Sequence, residues 1–442
     1  MLTREENEML CRVGPGTPMG NLLREYWMPL CISTELQADG PARKMRLLGE
    51  DLVAFRVTSG KVGLVQTNCA HRGVALYFGR NEEEGLACPY HGWKYNTEGQ
   101  CVDMPNEPDT NNFKEKVRIL AYHCVERNGV VWTYMGPRQN PPPLPMFEWN
   151  SNPDNIPVLW KNYRACNWVQ AMEGDLDTSH INFLHRVIDP LLDGTTPGHP
   201  LPGRADSLTN LTGRDTKPRL DVRQTDYGLL YSATRSLEDG TEYHRVHPFL
   251  FPFHTMIGGG ISDDGDLTGF NGKAWVPMDD DQCLVLEWQL RPDRPWTDEE
   301  RQQIFENRNP HGFVPDSTLD PIGGWQIKAN TSNNFFWDYE VQRSKLYFGV
   351  TSNPLQDGAV QHSMGPIFDR TNEHLGTADS MIIRMRRRLL DAARQVAEGE
   401  PAPCVDTPEA YAIRPAGAVL PPGGDWYQET EKRRNVRDRI PT

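Results

Sequence analysis

The chain has 442 residues, 38% of them hydrophobic and 24% charged, enough to bury a large core and to build two or three domains rather than a disordered tail. With 60 Asp and Glu against 46 Lys and Arg the net charge is −14, and a phosphate backbone would repel it, which excludes nucleic acid as a partner. No apolar run approaches the roughly 18 residues of a membrane helix, and Met1-Leu2-Thr3-Arg4-Glu5-Glu6 lacks the apolar core of a secretion signal. The sequence therefore predicts a soluble, cytoplasmic protein with no membrane partner. Nine cysteines without regular spacing argue against a disulfide scaffold and for a reducing compartment.

In chain order, residues 1–30 read as a helical extension ending at Tyr26-Trp27-Met28-Pro29. Short β-prone runs follow at Lys44–Leu48, Leu52–Arg56 and Val62–Gln66, separated by Gly49-Glu50-Asp51 and Ser59-Gly60 turns. A hairpin is predicted over Tyr122–Tyr134, because Asn128-Gly129 supplies the two positive-φ residues of a type I′ turn. These runs form an all-β domain over 31–136. Five prolines between Gly136 and Pro145 fit neither a helix nor a sheet interior, which makes 137–149 a stiff linker. The stretch 150–399 is predicted to be a second domain. A helical segment around Asn167–His185 precedes strands at Leu229–Arg235, Gly272–Val276 and Cys283–Leu290, best joined as a large antiparallel sheet. Met381, Ile382, Met385, Leu389, Ala392, Ala393 and Val396 recur at helical spacing, with Asp379 in front and Gly399 behind. Residues 400–442, rich in proline and charge, form an extension expected to wrap the surface. The fold class is α+β.

Cys69-Ala70-His71 and Cys88-Pro89-Tyr90-His91 form the pattern C-x-H…C-x2-H. Each half offers one thiolate and one imidazole from a tight loop, so two facing loops place both sulfurs on one iron and both imidazoles on the other, the ligation of a Rieske 2Fe-2S centre. A structural zinc site is the competing reading, but zinc sites usually contain a C-x2-4-C or an H-x3-5-H pair, and neither occurs here. The surroundings, Asn68 to Gly73 and Cys88 to Tyr95, match the Rieske family. The other seven cysteines, Cys11, Cys31, Cys101, Cys124, Cys166, Cys283 and Cys404, have no partner spacing and read as small buried hydrophobes.

A second constellation lies in Asn167–His185, where His180 and His185 stand five apart beside several carboxylates. Two histidines and a carboxylate on one face leave open positions on Fe(II), as in O2-activating non-haem iron sites. On a regular helix a spacing of five turns the rings about 140° apart, so they converge only if the helix ends or bulges. Alone, the pair reads more readily as two ordinary partly buried histidines. The whole segment, however, resembles the mononuclear-iron motif of the Rieske aromatic-ring-hydroxylating oxygenases, E-x3-D-x2-H-x4-H, filled here by Glu173, Asp177, His180 and His185. The resemblance runs from Val13-Gly14-Pro15-Gly16-Thr17-Pro18-Met19-Gly20 to Phe368-Asp369-Arg370-Thr371-Asn372-Glu373-His374-Leu375 and is to the phthalate dioxygenase branch, including its aromatic O-demethylases.

That resemblance implies a terminal oxygenase whose catalytic domain is of the helix-grip type. It implies a Rieske cluster on Cys69, His71, Cys88 and His91, Fe(II) on His180 and His185, and Asp177 bridging to a Rieske histidine, His91, of the neighbouring subunit. The third iron ligand stays open between two residues: the branch pattern N-D-x3-D-R-x-x-Q aligns on Gln342 to put Asn334 at the usual ligand position, while chemistry favours Asp338 one turn later. A trimer or stacked hexamer follows from the head-to-tail ring of the family. With neither a G-x-G-x-x-G fingerprint nor a plant-type ferredoxin run, a separate reductase or ferredoxin must supply electrons from NAD(P)H. The substrate class implied, with O2 as co-substrate, is an aromatic acid of phthalate, methoxybenzoate or lignin-derived biaryl type, hydroxylated or O-demethylated. Arg245, on a predicted strand, is the candidate carboxylate clamp, and Arg204 a second. The alternatives are a Rieske electron-transfer protein without oxygenase activity and a zinc-stabilised binding protein.

Overall fold

The structure, a computed structural model, describes residues 2–108, 110, 112–189, 215–258, 267 and 269–440. Arg204 lies outside the described residues. The amino-terminal β unit contains a six-stranded antiparallel sheet ordered Trp27–Ile32, Val130–Tyr134, Ala121–Arg127, Val62–Gln66, Glu50–Arg56 and Arg43–Leu47. The Asn128-Gly129 turn has φ of 46° and 83°, the positive pair that a type I′ hairpin demands. A smaller four-stranded sheet, Arg80–Glu82, Gly85–Ala87, Lys94–Tyr95 and Cys101–Asp103, carries the loops of the first metal constellation. Trp27 is the first residue of a strand, not the end of a helical lead-in: helices occupy Arg4–Cys11 and Pro18–Arg24 only.

The second unit is built on an antiparallel sheet of eight strands, with Val158–Arg164 at one edge and Arg219–Gln224 at the other. Two strands next to the Val158–Arg164 edge, Phe270–Pro277 and Cys283–Leu290, align Lys273 with Glu287 and Asn271 with Gln289. Period-two alternation thus gives the sheet one polar face. On the opposite face Trp288 stacks on Trp149, ring centroids 4.7 Å apart, and Trp149 on Trp132 of the amino-terminal sheet at 5.8 Å. One hydrophobic core therefore runs through both sheets. The proline-rich stretch is drawn into it: Phe147 and Trp149 are fully buried, and the Pro142 carbonyl accepts a hydrogen bond from Trp27 Nε1 at 2.7 Å. The carboxy-terminal extension is not only a surface wrap, since Ala416–Leu420 pairs with Glu242–Leu250 as a strand.

The expected amphipathic helix forms over Ser380–Ala397, burying Met381, Met385 and Leu389. Its Arg386 joins a buried ion network: Glu173 accepts from Arg386 Nε at 2.7 Å and from Arg370 Nη2 at 3.3 Å, and Arg370 Nη1 reaches Asn7 Oδ1 at 3.1 Å. Glu173 therefore ties the amino-terminal helix, the Trp168–Leu176 helix and the carboxy-terminal helix together. Burial opposes its ionisation, but the two guanidinium groups overcome that and hold the carboxyl below its ordinary 4.5. Removing one member of such a network strands buried charge, so Glu173→Ala should cost on the order of 3 kcal/mol. The depressed carboxyl contributes fully above its unfolded pKa and loses its contribution as pH falls through the lower folded value. The Tm difference between the two proteins should accordingly be largest near neutrality and shrink in acid, as thermal unfolding across pH would show.

Candidate metal centres and the adjoining cavity

Two loops in the amino-terminal unit have the same hydrogen-bond frame. Cys69 N–H donates to the Val74 carbonyl at 2.9 Å and Cys88 N–H to the Trp93 carbonyl at 2.8 Å, while Gly73 and Gly92 N–H return to the carbonyls of Cys69 and Cys88 at 2.9 and 3.0 Å. Both glycines have positive φ, and a Cβ on Gly92 would come within 2.5 Å of Pro105. Repetition of the frame sets Cys69 and Cys88 inside the protein and His71 and His91 toward its surface. The two imidazoles lie edge to face, centroids 4.5 Å apart, and His71 stacks on Trp93. Tyr95 OH sits 3.2 Å from Cys69 Sγ, and hydrogen bonds to sulfur are one control of cluster potential.

The fit to a two-iron cluster is concrete. His91 Nδ1 is buried without a partner among the described residues, as a nitrogen reserved for a metal would be. Cys69, His71, Cys88 and His91 also do not gather around a single point: the described residues contain one group of His, Cys, Asp or Glu donors close enough to share an ion, and it lies elsewhere. A lone tetrahedral zinc would need that convergence.

That group is His180, His185 and Asp357. The helix of the second constellation stops at Leu176, and Asp177 is its C-cap in extended conformation. The chain then makes a short 3-10 turn over His180–Asn182, so the two imidazoles meet because the backbone leaves the helix before either. Their Nε2 atoms are 3.2 Å apart, and Asp357 Oδ1 lies 3.2 Å from His185 Nε2 and 3.7 Å from His180 Nε2. Donors about 2.1 Å from one metal at right angles are about 3.0 Å apart, so the three atoms fit one face of an octahedral ion and leave the opposite face open. Burial works against ionisation of Asp357, but the imidazoles of His185 and His180 and the Lys273 ammonium hold its carboxyl well below the usual carboxylate range. Buried Arg235 braces the turn, donating from Nη2 to the Thr178 carbonyl at 3.0 Å; burial, then the charge of Arg245, pulls it down to about 10.

The third donor beside the histidine pair is neither of the two residues that the sequence offered. Neither Asp338 nor Asn334 joins the group or lines the cavity beside it. Asp338 is exposed and caps the Tyr339–Ser344 helix, accepting the Val341 N–H at 2.9 Å. Asn334 is exposed in a left-handed turn, φ 49°. Asp357 comes from the Asn353–Ser363 helix, in which it is the one carboxylate. That isolated charge, on the turn after Pro354, is the available signal. Glu173, in the same motif as the histidines, serves the ion network described above instead.

Asp177 uses Oδ1 to accept the Ser179 N–H at 2.7 Å and turns Oδ2 toward His180 Nδ1 at 3.6 Å. A cavity of about 600 Å³ opens from the histidine pair, lined by Asp177, Arg164, Arg245, Lys273, Glu287 and Asp357 among others. Most of its charges are paired. Lys273 meets Asp175, and Arg308 meets Glu287 at 3.0 Å. Arg245 reaches in from Glu242–Leu250, and its guanidinium makes no hydrogen bond or ion pair with any described residue.

A family model described as the Rieske 2Fe-2S domain matches residues 26–114, and one described as LigXa C-terminal domain like matches residues 133–439. The chain is 39% identical to the 3-chlorobenzoate-3,4-dioxygenase oxygenase subunit of Comamonas testosteroni, covering 98% of this chain and 99% of that one. It is 35% identical to the phthalate 4,5-dioxygenase oxygenase subunit of Pseudomonas putida, over 91% and 88%. A 5,5'-dehydrodivanillate O-demethylase oxygenase subunit of Sphingobium is 31% identical over 90% and 82%. The fold is shared with the terminal oxygenase of carbazole 1,9a-dioxygenase from Nocardioides aromaticivorans, TM-score 0.56 and 18% identity, over 88% and 97% of the two chains.

Fold, sites and matches together define a Rieske-type oxygenase, an enzyme that carries a 2Fe-2S cluster and a mononuclear iron. The chain belongs to the Rieske non-haem iron aromatic-ring-hydroxylating oxygenases, in the phthalate dioxygenase branch that also contains O-demethylases. The readings as an electron carrier without oxygenase activity and as a zinc-stabilised binding protein fall with these matches. Among the described residues no helix is long and apolar enough to cross a membrane. The geometry sets an expectation for the third donor: Asp357→Ala should weaken mononuclear iron binding at least about tenfold while the Rieske EPR signal persists, and Asp338→Ala and Asn334→Ala should keep their iron.

Proposed function

We propose that this oxygenase takes an aromatic carboxylic acid and dihydroxylates its ring, with Arg245 holding the carboxylate. The observation that carries the reading is a guanidinium with no partner among the described residues, in the same cavity as His180, His185 and Asp357. A planar fork without an internal partner is suited to a bidentate carboxylate, and a volume of about 600 Å³ is ordinary for a small-molecule site. The relatives of 39% and 35% identity are named for a chlorobenzoate and a phthalate and are ring dioxygenases, which favours ring dihydroxylation over demethylation. Cys69, His71, Cys88 and His91 would hold the cluster, and His180, His185 and Asp357 the iron. When bound, these groups supply single electrons and a centre for O2 activation.

The residues of the chain do the rest. Arg245 anchors the acid at one side of the cavity and so fixes which ring edge faces the triad. The paired charges Lys273–Asp175 and Arg308–Glu287 keep the polar wall rigid. Asp177 Oδ2, 3.6 Å from His180 Nδ1, acts on that ring through its charge. A reductase or ferredoxin drawing on NAD(P)H supplies the electrons, and the working unit is a head-to-tail trimer or stacked hexamer. Within one chain, no hydrogen bond, ion pair or ring contact between described residues joins the two Rieske loops to the triad. Both ends reach the surface: Tyr90 beside His91 is 53% exposed, and Phe183 between the two triad histidines is 46% exposed. In the assembly Asp177 would accept from His91 of the partner subunit on one side and from His180 on the other, as outer carboxylates orient metal-bound imidazoles.

Three measurements test this. Iron-loaded protein given a reductase, NADH and a panel of benzoates and phthalates should yield cis-diols and ignore the corresponding amides; formaldehyde from a methoxybenzoate would instead make it a demethylase. Arg245→Met should raise KM for the acid by about 10- to 100-fold, the loss of a charge-assisted hydrogen bond of about 1.5–3 kcal/mol, with kcat little changed. Asp177→Asn should retain both metal centres by iron analysis and EPR yet lose coupled turnover, and normal turnover in that variant would refute the bridge.

A further inference from the structure

The helix that carries Asp357 turns a second side chain toward the same histidine pair. Gln356 is fully buried. Its Oε1 lies 2.6 Å from His185 Nδ1, and its Nε2 donates to the Val350 carbonyl at 2.7 Å. The second bond fixes the sense of the first. A carbonyl only accepts, so the amide nitrogen must face Val350; the flipped amide would set two oxygens against each other. Gln356 Oε1 therefore faces His185 and can only accept, which requires the imidazole proton on Nδ1. In the neutral ring the lone pair is then on Nε2, the atom 3.2 Å from both His180 Nε2 and Asp357 Oδ1. The other imidazole is supported differently, with His180 Nδ1 facing the Asp177 carboxylate at 3.6 Å.

We infer that Gln356 is a positioning residue that sets the tautomer and ring plane of His185, so that Nε2 is the atom presented to the iron. The inference rests on reading His180, His185 and Asp357 as the iron ligands. An amide does this without adding charge. Asp357 is its immediate neighbour and Asp175 and Asp177 line the same cavity, so a further carboxylate would raise the negative charge around the triad, whereas an amide oxygen orients the ring and leaves the balance alone. The two histidines are thus unequal by construction, one backed by an anion and one by a neutral acceptor. Because Gln356 and Asp357 are consecutive on one helix, the same rigid element delivers a ligand and the brace of another.

The test is an anaerobic Fe(II) titration of full-length protein depleted of mononuclear iron but retaining its Rieske cluster, followed by EPR of the nitric oxide complex. Gln356→Leu, which removes the acceptor at similar volume, should weaken Fe(II) binding by about 10- to 100-fold and alter that spectrum, with the Rieske signal unchanged. Gln356→Glu, which as the neutral acid keeps an oxygen for Nδ1–H and an O–H for the Val350 carbonyl, should recover most of the affinity. Wild-type affinity and spectrum in Gln356→Leu would overturn the inference, as would equal loss in both variants, which would reduce the residue to packing. Asp357→Ala, titrated in parallel, reports on the triad alone: if that variant binds iron normally the ligand assignment fails, whatever the Gln356 variants show.

Discussion

Three donor atoms from distant parts of the chain are held 3.2 to 3.7 Å apart, and much of the catalytic domain is organised around keeping them there. Two imidazole lone pairs repel at that range, and a half-buried carboxylate loses solvation, so the cluster persists only because its supports are fixed independently. The Trp168–Leu176 helix must end before His180, and its last turn is pinned by the hold of Arg370 and Arg386 on Glu173. Arg235 then clamps the Thr178 carbonyl. From the other side Ser352, at φ 76°, turns the chain into the helix that carries Asp357, and its carbonyl takes the Gln356 N–H at 3.0 Å. A backbone in that region costs of order 1 kcal/mol or more and is kept only where its surroundings enforce it.

The sheet beneath the triad divides its labour by alternation. Trp288 and its neighbours supply an apolar face to the shared core, while Lys273, Glu287 and Gln289 present charge and amides to the cavity. Buried charges are tolerated when they are paired, and nearly all of these are: Asn162 and Arg308 both serve Glu287, and Asp175 takes Lys273 and Thr255. Against that background Arg245 is informative in a way that a surface arginine is not, because the described residues supply partners for its neighbours and none for its guanidinium.

Much of this was legible in the sequence, and for local reasons. Cys283–Leu290 and Val62–Gln66 form strands within the expected bounds, because β-prone runs closed by turn residues depend little on tertiary context. The Rieske loops were readable because ligand spacing and turn chemistry lie within a few residues of one another. Asp357 was hidden because the triad is a tertiary fact: 171 residues separate His185 from the Asp357 neighbour Gln356, and no periodicity links a lone carboxylate on one helix to a turn on another. Register misled at Asn334 and Asp338, since a segment that resembles a ligand motif is here an N-cap beside a left-handed turn of Asn334, Phe335 and Phe336. Residues 137–147 of the expected linker lie in neither helix nor strand, but Glu148–Ser151 is a short helix, and composition gave no sign that Phe147 and Trp149 would be buried.

That burial bears on how electrons travel. The amino-terminal sheet does not hang from a free tether. Its edge strand Arg43–Leu47 is held to the catalytic domain by a bidentate Arg43–Asp316 pair at 2.8 and 2.7 Å and by Arg46–Asp279 at 2.7 Å. Lys161 and Glu35, both largely buried, close another contact at 2.8 Å, and Leu48 and Gly49 N–H donate to the carbonyls of Pro277 and Met278. Swinging one unit toward the other would break these bonds and expose the Trp132–Trp149–Trp288 stack, so a domain motion that shuttled the cluster to the iron of the same chain would have to open the main core. On the proposed reading a body this continuous would relay charge between subunits. Tyr90 and Phe183, exposed beside His91 and between the triad histidines respectively, mark the two surfaces that the proposed ring of identical subunits would bring together.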